Sequence, residues 1–185
     1  PPSFRLVKAP APLSTALLPT TWGVICVQAR QGSVVACHLP KVVGLPRRAL
    51  QPSGPARLSG QAGDKKILAD AVRFVQSALD GRPAPCPPLA DDAAGPFTRR
   101  ARTALRRIKP GQTCTYGELA AAAGSPGAAR AAGSACAGNP LPLFIPCHRV
   151  LAAGGKLGGF SGGLAWKRIL LEREKLAAGP GRRTA

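Results

Sequence analysis

Methionine is absent from all 185 residues, acidic side chains number only 8, and the chain holds 2 His, 1 Tyr and 2 Trp. The dearth of acid has the widest consequence: against 26 Lys+Arg it leaves a net charge of +18 and a pI near 11.2. That balance favours a polyanionic partner, of which nucleic acid is the commonest. An arginine-rich surface with no such partner is the plainer alternative. No run of about 18 apolar residues occurs, so no helical membrane span is expected, and residues 12–18 are too short and interrupted for a signal-peptide core. The cysteines, at 26, 37, 86, 114, 136 and 147, contain no C-x-x-C pair. Without a secretory signal they point to free thiols in a reducing compartment, not to a disulfide framework. Two histidines are too few for a well-supported tetrahedral zinc site. Methionine is missing even at position 1, as expected for a trimmed chain or a removed initiator.

What is present divides unevenly. Residues 1–92 carry 11 basic and 5 acidic side chains and the rest 15 and 3, so the second part, at +12 against +6, is the expected nucleic-acid face. The length accommodates two small domains, each with a core. Residues 1–20 read as a lead-in of little regular structure. Two β-branched, apolar runs follow at 22–28 and 33–39, separated by Ala29-Arg30-Gln31-Gly32, a hairpin signal, with 41–45 a candidate third strand. Residues 46–63 are rich in Pro, Gly and Ser and read as a long loop. Ile67, Leu68, Ala71, Val72, Val75, Ala78 and Leu79 then recur at helical spacing and stop at Asp80-Gly81. The proline-rich stretch 82–96 is the expected linker. The fold class expected is α+β: a small N-terminal sheet-plus-helix domain over 1–92, a mainly helical domain with a helix-turn-helix over 93–178, and a basic tail over 179–185.

Past the linker, Phe97, Ala101, Leu105 and Ile108 mark one face of a helix whose other positions hold Arg99, Arg100, Arg102, Arg106 and Arg107. A solvated basic face and a phosphate contact both fit those arginines. Lys109-Pro110-Gly111 ends the helix. Thr115-Tyr116-Gly117-Glu118 has the form of a capping box that opens an alanine-rich helix to Ala123. Gly124 stops it, and Ser125 as N-cap with Pro126 at the first helical position starts another, to about residue 137. Two short helices across a Gly-containing turn make a helix-turn-helix pattern or an ordinary helical hairpin. The second helix has Arg130 as its only charge and almost no side chain able to read major-groove base edges. Such a helix approaches DNA closely without demanding a sequence.

The chemistry-bearing stretch is Pro146-Cys147-His148-Arg149-Val150, set between the apolar run 141–145 and the glycine-rich run 154–163. Proline fixes its own φ and restricts the residue before it, so the Ile145-Pro146 step aims Cys147 in a set direction. Neighbours on an extended segment project to opposite faces, so Cys147 and His148 need a turn or a bridging water to act together. A thiol beside an imidazole is a candidate nucleophile and base. A packed, inert cysteine is the alternative, because reactivity requires a lowered thiol pKa and access.

This stretch follows, in order, Gly111-Gln112-Thr113-Cys114-Thr115-Tyr116-Gly117-Glu118-Leu119, Ala128-Ala129-Arg130-Ala131 and Gly138-Asn139-Pro140, and precedes Ser161-Gly162-Gly163. Together these pieces resemble the O6-alkylguanine-DNA alkyltransferases, also called methylated-DNA-protein-cysteine methyltransferases, over about residues 97–176. The resemblance implies DNA repair by direct reversal of damage. The alkyl group of O6-alkylguanine, and less efficiently of O4-alkylthymine, would pass from a flipped-out base to Cys147 in a single turnover, with no cofactor and no metal. His148 would take the thiol proton through a water, Glu174 would orient the imidazole, and Tyr116 would donate a proton or hydrogen bond to the leaving guanine. Arg130 would fill the gap left by the flipped base, with Tyr116, Ser125 and Ala129 beside it at the DNA face. Asn139 would tie the helix-turn-helix to the reactive segment, and Val150 and Ser161 would hold the flipped guanine through backbone groups. Phe160 stands where family members commonly have tyrosine, which keeps a stacking surface and loses a hydroxyl. No second thiol is expected to be placed to regenerate the first, and a thioether is not reversed by thiol exchange. Some relatives carry zinc in the N-terminal domain; Cys26, Cys37 and His38 are the only candidates here and support it poorly. The expected partner is double-stranded DNA containing O6-alkylguanine, met by a monomer with no membrane association, in the cytoplasm with the nucleoid or in a nucleus. A cysteine hydrolase and a non-catalytic sensor of alkylated DNA are the competing classes; the sensor relatives replace the reactive cysteine, which is intact here.

Overall fold

A computed structural model of the chain describes residues 11–42, 50–90 and 94–178. The first strand, β1 (Ser14–Thr20), lies where a loose lead-in was expected: Ser14, Ala16, Leu18 and Thr20 are buried in alternation with more exposed neighbours, the period of a half-covered strand. Pro19 masks that pattern in the sequence, since proline argues against a ladder position. It is accommodated because β4 (Arg57–Ser59) pairs only with Thr15, Ala16 and Leu17, so no ladder bond is demanded of Pro19 on that side. Strands β2 (Gly23–Arg30) and β3 (Ser33–His38) form the expected hairpin, but the turn is only Gln31-Gly32, with Arg30 already paired to Ser33. The antiparallel sheet runs in the order β3-β2-β1-β4. β4 corrects the expectation of an unbroken loop over 46–63. Residues 41–42 form no strand, and 43–45, with the tail 179–185, lie outside the described residues.

Helix α1 (Lys65–Leu79) buries Leu68, Ala71, Val72, Val75 and Leu79, the stripe read from periodicity, in one cluster with Ala16, Leu18, Ile25 and Val27 of the sheet. Each large aliphatic so buried contributes about 1.5–3 kcal/mol. Buried Asp64 pins the start of the helix, accepting hydrogen bonds from Ser14 Oγ at 2.7 Å and Gly32 N at 2.8 Å. The expected linker is partly bound: Val34 N donates to Pro88 O and Ala90 N to Val34 O, both at 2.9 Å, along the free edge of β3. The boundary expected at residue 92 falls among residues 91–93, outside the described ones.

Helices α2 (Pro96–Leu105), α3 (Tyr116–Ala122), α4 (Ala129–Ala137) and α5 (Leu164–Ala178) make up the second half, with β5 (Cys114–Thr115) and β6 (Val150–Leu151) joined as a short parallel pair. The capping box of α3 is present in both directions, Glu118 N to Thr115 Oγ1 at 3.2 Å and Thr115 N to Glu118 Oε2 at 2.5 Å. The helix closes with Gly124 N to Ala121 O and Ser125 N to Ala120 O, the paired bonds of a Schellman end. α4 starts at Ala129, not at Pro126, and its N-cap is Ala128; Ser125 caps nothing. Gly127 at φ +84° is the cause, because a left-handed residue interrupts a right-handed helix.

The five arginines in α2 and just past its end do not form one solvated face. Arg102 is buried and donates Nη2 to Gly138 O at 2.5 Å, and Arg100 Nε donates to Ala123 O at 2.7 Å, so two of the five clamp α2 to the helix pair. The halves meet in one continuous core. Phe74 stacks on Phe144 at 4.8 Å, Trp166 meets Trp22 edge-on at 5.1 Å and donates Nε1 to Pro40 O, and Cys37 N donates to Pro140 O. Among the described residues no helix is long and apolar enough to cross a membrane.

Candidate active site

The segment before Cys147 is held by its own backbone and by one amide. Residues 141–146 are buried, Ile145 N donates to Leu141 O at 2.8 Å, and Leu143 adopts φ +75°, a strained value for a branched side chain. Asn139 is 5% exposed and all of its side chain is used: Oδ1 accepts from Leu141 N at 3.0 Å, while Nδ2 donates to Ile145 O at 2.8 Å and to Cys147 Sγ at 3.2 Å. Asn139, two residues past α4, is thus bonded along the reactive segment, with the thiol as one of its acceptors.

Cys147, His148 and Arg149 form a single 3₁₀ turn, closed by Arg149 N to Pro146 O at 3.0 Å. This turn replaces the extended segment and lets the neighbours serve different surroundings. Cys147 faces a cavity of about 280 Å³ lined by Tyr116 of α3, Gly133, Cys136 and Ala137 of α4, and Gly159, Phe160 and Ser161 of the glycine-rich loop. Tyr116 reaches it because the capping box fixes the first turn of α3. Gly158, at φ +65°, lets the loop close over it: a Cβ there would lie 3.2 Å from the Tyr116 ring and hydroxyl. Small residues on α4 leave the space open.

His148 turns toward α5. Its Nε2 lies 2.9 Å from Glu174 Oε1, and both side chains are almost fully buried. An ionised carboxylate only accepts, so Nε2 carries the proton and Nδ1 is the bare, basic nitrogen. Nδ1 bonds to no described protein group. Burial lowers the imidazole pKa and outweighs the opposing pull of Glu174, so the ring is neutral at pH 7. Glu174 also accepts from Arg149 Nε and Nη2 and, at 3.2 Å, from Gly111 N, while Arg149 Nη1 donates to Ile108 O at 2.5 Å. Burial opposes its ionisation, but His148 and Arg149 hold its pKa down to about 2.

Burial pushes the Cys147 thiol up; the Asn139 hydrogen bond and the cations Lys167 and Arg102 act the other way. Lys167 is fully buried on α5 and donates Nζ to Val150 O at 2.6 Å and to Gly159 O at 3.1 Å, stitching β6 to the loop over the cavity. Burial also raises the Tyr116 hydroxyl, which keeps it a protonated donor at neutral pH.

The structure thus brings Cys147, Tyr116, Phe160 and Ser161 to one cavity, sets Asn139 on the sulfur, joins His148 to Glu174, and ties the Val150 carbonyl to Lys167. Arg130 is exposed at the start of α4, and Ala129 and Ser125 lie in or just before it; none of the three lines the cavity. Sequence reasoning missed Lys167, the role of Arg149, and Cys136. Lys167, Leu170 and Glu174 stand at i, i+3 and i+7, so a lysine within the buried stripe of α5 was the available signal. Cys136 lines the same cavity as Cys147, with burial pushing its pKa up to about 12. In the first half, Cys26 pairs across the sheet with His38 while Cys37 points into the core, so the three candidate zinc ligands do not converge.

The profile of the 6-O-methylguanine DNA methyltransferase, DNA binding domain, matches residues 96–176. The methylated-DNA-protein-cysteine methyltransferase of Mycobacterium tuberculosis is 51% identical over 82 residues, 44% of this chain and 50% of the relative. The Homo sapiens protein of the same name is 51% identical over 79 residues, 42% of this chain and 38% of that one. The chain therefore spans about half the length, or less, of these curated relatives. The crystal structure of Mycobacterium tuberculosis OGT in complex with DNA superposes with a TM-score of 0.66 at 31% identity, over 86% of this chain and 91% of that one. By these likenesses, laid over the buried Cys147 and the ordered pieces around it, the chain belongs to the O6-methylguanine-DNA methyltransferase family.

Proposed function

We propose that this protein repairs DNA by moving the alkyl group from O6 of a flipped guanine, and less efficiently from O4 of thymine, to its own Cys147. The observation that carries the reading is the setting of one sulfur: Cys147 Sγ accepts from Asn139 Nδ2 at 3.2 Å and lines a cavity walled by Tyr116, Phe160 and Ser161. Stacked DNA hides O6, so the base must leave the duplex to reach such a site. The S–C bond forms as the C–O6 bond breaks. The thiol proton passes to His148 Nδ1 through a water, and the guanine leaves with its charge met by the Tyr116 hydroxyl. At rest the thiol, pushed up by burial, and the imidazole, pushed down by it, are both neutral, so the proton moves as the reaction proceeds. Glu174 fixes the imidazole tautomer and Arg149 keeps Glu174 ionised.

Phe160 supplies an apolar wall, and Val150 and Ser161 offer backbone groups to the base. Arg130 and Ala129 of α4, with Ser125 of the turn before it, meet the duplex, and Arg130 fills the gap in the stack. The thioether product is not reversed by thiol exchange, which requires a disulfide sulfur, so Cys136 does not rescue Cys147 and each monomer reacts once without cofactor or metal. Incubation with duplex containing O6-methylguanine, followed by peptide mass spectrometry, should place one methyl on Cys147 at no more than one equivalent. Methylation of a different cysteine, or repeated turnover, contradicts the reading. Cys147→Ala separates it from a non-catalytic sensor: the variant should bind alkylated duplex as well as the parent and transfer nothing, whereas a sensor would transfer nothing in either form.

A further inference from the structure

A second basic surface runs beside the helix pair α3–α4. Pro96, Arg99, Arg100, Thr103 and Arg107, with Ala122 of α3, surround a shallow groove of about 460 Å³ whose floor includes Ala104. Arg102, which the sequence grouped with these residues, is turned inward and takes no part. Arg99, Arg100 and Arg107 are exposed, no acidic side chain lines the groove, and none of the three makes an ion pair among the described residues. Arg100 is fixed by its Nε bond to Ala123 O, which sets it at the turn between α3 and α4. The groove is therefore continuous with that helix pair, floored by alanines that admit close approach, and rimmed by guanidinium groups without counter-charge.

Guanidinium forks match phosphate oxygens in geometry and charge, and small floor residues leave room for a sugar-phosphate strand. We propose that the α2–α3 groove is a second, sequence-independent binding site for the backbone of double-stranded DNA, with Arg99 and Arg107 as its phosphate contacts. It lengthens the footprint beyond the α3–α4 pair and holds the duplex while α4 probes the base stack. The inference rests on DNA being the partner, as proposed above. An acidic protein surface would meet the same charges, and the experiment separates the two.

The full chain and its Arg99→Ala/Arg107→Ala variant are titrated with undamaged duplex from 50 to 200 mM salt, and each is reacted with free O6-benzylguanine. Each lost phosphate contact lowers the slope of log affinity against log salt by about 0.9. The double variant should therefore lose about 1.8 from the slope, which makes its affinity fall about tenfold less than the parent's across that range. Reaction with the free base should be unchanged, since it needs the fold and Cys147 but no phosphate contact. Arg99→Lys/Arg107→Lys should restore most of the slope. A double variant with the parental slope and affinity overturns the proposal. A parent whose affinity ignores salt defeats the DNA reading itself, a separate and distinguishable failure.

Discussion

Replacing Glu174 with glutamine tests the buried chain of charges behind the reactive cysteine. Glu174 is 2% exposed and accepts from His148, from Arg149 and from the Gly111 amide. Glutamine has nearly the same volume, so no cavity opens; what changes is the charge and one acceptor that becomes a donor. A carboxyl held at about 2 in place of 4.5 favours the ionised folded state by about 3 kcal/mol at neutral pH. Removal of one partner from a buried ion pair costs about 3–5 kcal/mol by experience with other proteins, which agrees. For a chain of this size each kcal/mol moves Tm by about 2–4 °C, so Glu174→Gln should melt about 6–20 °C below the parent at pH 7. The sign with pH follows from a lowered folded pKa: the contribution is complete above 4.5 and is lost as pH falls toward 2. The gap in Tm should therefore narrow between pH 5 and pH 3. Adding Arg149→Met to Glu174→Gln should recover part of the loss by deleting the stranded guanidinium. Thermal unfolding followed by circular dichroism decides the matter. A loss below about 1 °C at pH 7, or a gap that does not change with pH, would show that the network does not hold the fold as described.

The pH dependence of transfer reports on His148. Burial lowers its pKa below the ordinary 6.5, so the basic form persists below neutrality; the acid limb of the single-turnover rate should be centred below pH 6.5. An acid limb centred above 6.5 is the contrary outcome. Lys167→Met removes a cation that counters the burial of the thiol and frees the carbonyls of Val150 and Gly159. The pH midpoint for alkylation of Cys147 by iodoacetamide should rise, with transfer to protein slowed at pH 7; an unmoved midpoint would assign Lys167 a packing role alone.

Local chemistry was readable from the chain wherever neighbours in sequence are neighbours in space. The α1 stripe, the capping box Thr115-Glu118 and the β2–β3 hairpin needed only spacing and residue type, and the ordered motifs around Cys147 pointed to one family. Elements whose stability comes from a distant partner were not readable. β1 carries a proline that its sheet position excuses, β4 has no pattern of its own beyond three paired residues, and α4 begins late because Gly127 turns left-handed.

At the site, residue types in order named Cys147, His148, Asn139 and Tyr116. Tertiary structure decided which groups they meet and how deeply they are buried, because burial depends on what the rest of the chain packs over them. It turned the Cys147–His148 step into a 3₁₀ turn, set Glu174, which the family resemblance had already named, against His148, and drew Lys167 onto the site from the same helix. It also separated Arg102, spent on a carbonyl inside, from Arg99 and Arg107, left facing solvent. A sequence records which charges a protein owns; only the fold removes water from some of them, and that removal sets their pKa values and their partners.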